Sequence, residues 1–327
     1  MTTTAVASEV IARAAELACR APSVYNSQPW RWVATPAAVD LFTDPHRVVR
    51  STDRFGREAI ISCGALLDHF RIAMAVAGWR THIEEFPNPN RLEHLASLYF
   101  TPLEYVTQAW RDHADAISRR RSNRLPFGPP GEWQSFETTL RLAFGSEYVG
   151  IEALADSARP RLLDASRLTA SLRRDDEFYH RELHWWTAPV RHSDGIPPRG
   201  LVSQTAADRV GVGRKFPSSG CRDRLVATSQ DQAKILVLST PEDTRADAFH
   251  SGQVLSKVLL ECTIAGLATC PLTHITELEA SRDIIRDLLV AKAIPQVLIR
   301  VGAAPDVEDI PPPTPRRPLS EVLEFRH

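Results

Sequence analysis

Cys63-Gly64-Ala65-Leu66-Leu67 and, far downstream, Ser251-Gly252-Gln253-Val254-Leu255 decide how this chain is read. Laid over one another without a gap, they bring Ala77-Gly78 onto Ala265-Gly266, so both glycines recur at a spacing of 188 (252 − 64 and 266 − 78). Apolar positions follow the same spacing: Leu67 with Leu255, Ile72 with Leu260, Val76 with Ile264. Each segment reads as a helix, over Glu58 to Ala77 and over His250 to Ala265, and each is apolar on nearly every side. Such a helix belongs inside a core. Any two buried helices share apolar character, but two matched glycines at one spacing point to an internal repeat. The expectation is two related halves, each with a central buried helix, packed across a pseudo-two-fold axis so that the contact surfaces bury one another reciprocally.

Around these helices the pattern is mixed. Helical spacing predicts helices near Ala5–Arg20, Leu103–Ser118, Trp133–Phe144, Ser157–Arg173 and Glu279–Leu289. Trp30–Ala34 and Val39–Phe42 read as a hairpin, and Thr81–Phe86, Tyr148–Ala153, Lys234–Ser239 and Pro295–Gly302 as further strands. Thr269–Ile275 reads as a turn. Residues 175–230 hold Phe178, Tyr179, Trp185, Trp186 and Phe216 with little periodicity, as expected of a lid or binding loop. The proline-rich tail from Pro311 must be extended. The fold class is therefore α+β, with a first half over 1–102, a second over 103–327 and an insertion at about 175–230.

Composition narrows the function. The 327 residues carry 39 basic and 40 acidic side chains, so no global field draws the chain to nucleic acid or an anionic membrane. Any anion site must be local. Met1 to Ser8 lacks a basic stretch leading into an apolar core, and no apolar run is expected to span a bilayer. The five cysteines, Cys19, Cys63, Cys221, Cys262 and Cys270, are odd in number and show no Cys-x-x-Cys spacing. Reduced thiols in the cytoplasm are the simplest expectation. The 11 histidines are scattered, so no metal site is expected, and Gly211-Val212-Gly213 lacks the third glycine of a dinucleotide loop.

Two stretches carry chemistry. Pro22-Ser23-Val24-Tyr25-Asn26-Ser27-Gln28-Pro29-Trp30 follows the first helix, which Pro22 ends. Its hydroxyls and amides both donate and accept hydrogen bonds. An ordinary polar turn and a surface for a flat polar ligand both remain open. Arg119 to Arg124 sets four arginines and Ser122 within six residues. Such runs are commonly solvated faces or nucleic-acid patches. Balanced charge, no interleaved aromatics and no second basic tract argue against nucleic acid. A serine between Arg121 and Arg124 suits one phosphate, which arginine grips bidentately. Arg316 and Arg317 offer a second clamp, unless the tail is simply a flexible end or a polyproline ligand.

These stretches resemble the FMN-dependent nitroreductase family. Pro22-Ser-Val-Tyr-Asn-Ser-Gln-Pro-Trp30 resembles its P-S-x-x-N-x-Q-P-W motif, and Arg120-Arg121-Ser122-Asn123-Arg124 its R-R-S-x-R stretch, which holds the flavin phosphate. Gly266 to His274 resembles the segment beside the flavin ring, and Arg317-Pro-Leu the C-terminal stretch that returns to the phosphate. That family builds two sites per homodimer, each from both subunits. Here the first half has P-S-x-x-N without R-R-S, and the second has R-R-S without P-S-x-x-N. The resemblance is thus to the Acg-type branch, with two nitroreductase-like halves fused as a pseudo-dimer and one composite site.

The resemblance implies one FMN per chain. Arg120, Arg121, Ser122, Arg124, Arg316 and Arg317 would hold the phosphate. Pro22, Ser23, Tyr25, Asn26 and Gln28 would meet the ring and ribityl chain, with Thr273 and His274 opposite. NADPH or NADH would supply electrons for nitroaromatics or quinones, with no catalytic side chain required. The alternative is an FMN-holding protein with little or no turnover, its flavin covered by a lid carrying Phe178, Tyr179, Trp185 and Trp186. A monomer with internal two-fold symmetry and no nucleic-acid or membrane partner completes the expectation.

Overall fold

A computed structural model describes residues 5–188, 193–217, 230–307 and 312–326. Helix α1 (Ser8–Ala18) leads to strands β1 (Trp30–Ala34) and β2 (Val39–Thr43), helix α2 (Arg57–Val76), and strands β3 (Trp79–Glu85) and β4 (His94–Pro102). Helices α3 (Gln108–Arg119) and α4 (Trp133–Phe144), strand β5 (Gly150–Leu154) and helix α5 (Arg159–Leu172) follow. Within the insertion stand α6 (Glu177–Trp186) and α7 (Gln204–Val210). The chain continues through β6 (Lys234–Thr240), α8 (Arg245–Ile264), β7 (Ala268–Leu272), α9 (Glu279–Arg286) and β8 (Ile294–Gly302). It closes with α10 (Leu319–Val322) and β9 (Leu323–Phe325).

The α+β class holds. One sheet has the order β3-β4-β2-β1-β9 and the other β5-β6-β8-β7. All pairings are antiparallel except β1 with β9, where Trp32 stands beside Leu323. The end of the chain therefore completes the sheet begun by its start. Between the sheets α2 and α8 cross with no room for side chains at the matched glycines. A Cβ on Gly64 would fall 2.1 Å from the Phe249 carbonyl oxygen, and one on Gly252 2.0 Å from that of Ile61. Phe249 and Ile61 share the spacing of the glycines (249 − 61), so the contact is reciprocal about a local two-fold. Gly78 and Gly266, the second matched pair, end the two helices with φ of 84° and 73°, the left-handed geometry that glycine adopts without penalty.

Several expectations need correction. α8 begins five residues before His250, because Thr244 and Asp247 form a capping box: the Thr244 hydroxyl accepts from the Asp247 N–H at 3.1 Å, and the Asp247 carboxylate accepts from the Thr244 N–H at 2.9 Å. Thr269–Leu272 is strand rather than turn; Pro271 fits there because β7 is a sheet edge. The insertion is not irregular throughout. Asp176 accepts from the Tyr179 N–H and Ser203 from the Ala206 N–H, and these caps start α6 and α7. Residues 189–192 and 218–229 of that insertion, with Cys221, lie outside the described residues, as do Met1–Thr4 and Pro311. Finally, α2 is long and apolar enough to match a membrane span, with a mean hydropathy of 1.5, yet 89% of that window is buried inside the protein. It is a core helix.

Candidate functional site

A cavity of about 360 Å³ opens between the two sheets' helices and gathers three separate segments. Pro22, Ser23 and Tyr25 come from the turn after α1, Ser122 and Arg124 from the run after α3, and Thr273 and His274 from the end of β7. A single parallel bridge, Ser122 to Thr269, sets the second segment beside the third, and the Asn123 N–H donates to the Thr269 carbonyl at 2.8 Å. Tyr25, Asn26 and Gln28 all have positive φ (50°, 57° and 52°). Three non-glycine residues in that region within four positions is costly backbone, of the kind that clusters at ligand sites. His274 lies buried with Nε2 3.0 Å from the Ser166 hydroxyl; burial, then Arg214, pushes its pKa well down, so it is a neutral wall.

In the segments that lead into Pro22 and Ser122, and in the C-terminal strap, four arginines (Arg20, Arg120, Arg121 and Arg316) converge without a carboxylate partner among the described residues; none of them lines the cavity itself. Arg316 donates to the carbonyls of Cys19 (2.7 Å), Arg20 (3.0 Å) and Ala21 (3.4 Å), immediately before Pro22. Arg120 is 5% exposed, and its Nε and Nη1 have no hydrogen-bond partner. Its Nη2 reaches only the Arg20 carbonyl, at 3.4 Å. Burial, then Arg20 and Arg121, lower the Arg120 pKa to about 10; burial, then Arg120 and Arg20, lower that of Arg316 to about 9. A buried Arg120 with unpartnered donors, repelled by its neighbouring guanidinium groups, lacks the negative charge that would balance it. Arg20 joins the expected set. The signal was its place directly before Ala21-Pro22; its guanidinium donates to the Thr314 carbonyl at 3.4 Å.

The other expected residues fall elsewhere. Asn26 donates to the Gly195 and Pro315 carbonyls, both at 3.1 Å, and Gln28 to the Ser193 carbonyl at 2.9 Å, while its Oε1 accepts from the Arg317 N–H at 2.9 Å. These amides fasten the insertion and the C-terminal strap rather than line the cavity. Arg317 turns to Glu321 (3.2 Å) and Asp44 (3.9 Å), away from the four-arginine cluster. Arg124 donates to the Gly200 carbonyl at 3.0 Å and stacks over Phe216, 5.2 Å from the ring centre. The four aromatics of the insertion split. Tyr179 and Trp186 pack with Tyr25, Val49, Leu183, Ile196 and Leu201, whereas Phe178 and Trp185 are 74% and 60% exposed. Val202, Gln204, Val210, Arg214 and Phe216 form one wall of the cavity.

A second charged group underlies Tyr25. Arg214 pairs with the fully buried Glu277, donates to the Tyr179 hydroxyl at 3.0 Å and lies 5.0 Å from the Tyr25 ring centre. Arg57 donates to Glu58 at 2.7 Å, and the Asp53 carboxylate accepts from the Ala59 N–H at 2.9 Å. The sequence reading took Glu58 only as the start of an apolar helix.

Fold and site together define a two-sheet α+β protein with a cavity composed from segments far apart in one chain. No protein-family model matches the sequence. The chain is 52% identical over 326 residues to the Mycobacterium tuberculosis H37Rv protein named "Putative NAD(P)H nitroreductase acg", covering 100% of this chain and 98% of that relative. A second protein of that strain with the same style of name is 37% identical over 323 residues, covering 97% and 92%. The crystal structure of the FMN-dependent nitroreductase NfnB from Mycobacterium smegmatis in complex with NADPH superposes with a TM-score of 0.40 at 19% identity, over 67% of this chain and 100% of that one. The chain belongs to the Acg-type branch of the nitroreductase family.

Proposed function

We propose that the chain binds one FMN and is a nitroreductase-like flavoprotein, drawing electrons from NADPH or NADH to reduce nitroaromatics or quinones. The observation that carries this reading is the carboxylate-free cluster of Arg20, Arg120, Arg121 and Arg316 with its unpartnered Arg120 donors, in segments that lead directly into the cavity-lining Pro22 and Ser122. A phosphate monoester supplies the missing charge there. The cavity, about 360 Å³, lies within the roughly 300–1,000 Å³ usual for small-molecule sites, and Tyr25, Ser23, Thr273 and His274 would flank the ring. When bound, the flavin supplies the hydride chemistry, and the protein supplies binding and electrostatics. The residues that would hold it come from both sides of residue 102, so we read 1–102 and 103–327 as the two halves of a cytoplasmic monomer with one composite site.

A second reading is favoured by the cavity wall that the insertion provides. Arg214 and Phe216 stand against Tyr25, with the Phe216 ring edge-on at 6.1 Å. A flavin beneath that wall would be held with little turnover. Purified protein is expected to be yellow and to release FMN on acid treatment; a colourless protein that takes up no FMN would sink both readings. Anaerobic mixing with NADPH then separates them. Rapid bleaching of the flavin band excludes sequestration, while slow bleaching that quickens when the segment around Trp186 is removed supports a cover.

A further inference from the structure

Behind the first cavity lies a larger one, about 860 Å³, lined by charged residues of both signs. Among the described residues Glu58 alone lines both cavities. It sits in the first turn of α2 and is 3% exposed. The groups facing it are Arg57 on its own helix, Asp53 from the preceding turn, Glu277 from the segment before α9 and Arg214 from the insertion. Three carboxyls therefore share two guanidinium groups. That set is one positive charge short, and a proton restores the balance.

We propose that Glu58 is the proton donor of the redox site, giving its proton to the substrate in the first cavity and regaining it from water in the second. This rests on the reductase reading above. A quinone takes up two electrons and two protons to become a hydroquinone. Hydride chemistry at the redox site would bring both electrons and one proton from NAD(P)H. The second proton comes from Glu58: its O–H bond breaks, an O–H bond forms on the quinone oxygen, and the carboxylate is reprotonated by water. Reduction of a nitro group to a nitroso group has the same electron count, and its two protons leave with oxygen as water.

Competing donors in the first cavity fit less well. Tyr25 is too weak an acid, because burial, against the pull of Arg214, raises its pKa well above the usual value. His274 is held neutral. Asp53 lines the second cavity but not the first. For Glu58, burial outweighs Arg57, and Asp53 and Glu277 add to it, so its pKa rises to about 8. A donor poised there is protonated at neutral pH and close to the optimum for general acid work.

Infrared titration of the FMN-free protein, with Glu58→Gln beside the wild type, tests the protonation directly. A protonated-carboxyl band that titrates near pH 8 and is missing from the variant is expected; a band that persists unchanged in the variant overturns the proposal. With FMN loaded, Glu58→Gln is expected to keep the wild-type FMN Kd, lose about 100-fold in kcat for quinone, and lose the fall in rate above pH 8, with partial rescue by Glu58→Asp. Wild-type kcat and pH profile in FMN-loaded Glu58→Gln overturn the donor role alone. A wild type that takes up no FMN, or takes it up and passes no electrons to quinone, overturns the role together with the reductase reading.

Discussion

Two arginine-rich regions, one on the cavity wall at Glu58 and Arg214 and one just before the cavity-lining Pro22 and Ser122, obey opposite rules. Around Glu58, each guanidinium has an acidic side chain beside it: Arg57 meets Glu58, and Arg214 meets Glu277. Around Arg120, the guanidinium groups of Arg20, Arg121 and Arg316 meet only backbone carbonyls among the described residues. Each region has a buried member, Glu58 in the first and Arg120 in the second. The difference is that the first region completes its charge balance with side chains and a proton, whereas the second calls for an anion from outside. A buried arginine is thus ambiguous until its acids are counted.

The contrast predicts opposite responses to similar changes. Glu277→Gln strips the partner from a buried, charged Arg214, and loss of one member of such a pair costs about 3–5 kcal/mol. Chemical denaturation should show that loss in stability; an unchanged midpoint would mean that Arg214 is compensated elsewhere. On the other side, Arg120→Met with Arg316→Met should reduce FMN affinity at least 100-fold, from about 1.5–3 kcal/mol per charge-assisted bond, while the protein still folds. Flavin fluorescence on titration reads this, and equal loss of fold and affinity would make the cluster structural.

A pH effect of intermediate size belongs to Glu58. Its carboxyl releases a proton at about 8 in the fold, against 4.5 for the unperturbed group. The folded state therefore holds the proton more tightly, so this contribution to stability is full below 4.5 and is lost as pH rises toward 8. Between those values the slope is about 1.4 kcal/mol per pH unit, and Glu58→Gln should abolish it. Melting both proteins at pH 5 and 7 checks the sign; a wild type that gains stability relative to the variant would refute it. The smallest effect is expected from Arg120→Met without ligand. Removing a self-repelling buried charge should leave stability unchanged or raise it by about 1 kcal/mol, read as a slightly higher Tm.

Much of this was legible in the sequence, for identifiable reasons. The glycine spacing revealed the helix pair because a backbone-to-backbone crossing leaves no alternative to glycine at Gly64 and Gly252. The polar turn at Pro22 and the run at Arg119 were visible because their residue types are rare in such density. What escaped notice depends on three-dimensional accounting. Arg317 reads like Arg316, yet one turn of direction pairs it with Glu321. Phe178 and Trp185 read like Tyr179 and Trp186, but a capped helix sends the first two to solvent. Glu58 was hidden at the head of an apolar helix, since its meaning comes from Asp53, Glu277 and the second cavity. β4 went unread because Leu95, Ala96, Ser97 and Leu98 are buried on both faces of the strand, so its sequence lacks a clean apolar–polar alternation.

The Gly64–Gly252 crossing bears finally on concentration. A cavity assembled from two polypeptides comes apart on dilution, and its occupancy then depends on how much protein is present. Here the segments carrying Ser23, Arg120 and Thr273 belong to one covalent chain and are clamped by helices in backbone contact. Their effective concentration is fixed by the fold. Ligand affinity should therefore be the same at the scarcest and the most abundant levels of the protein.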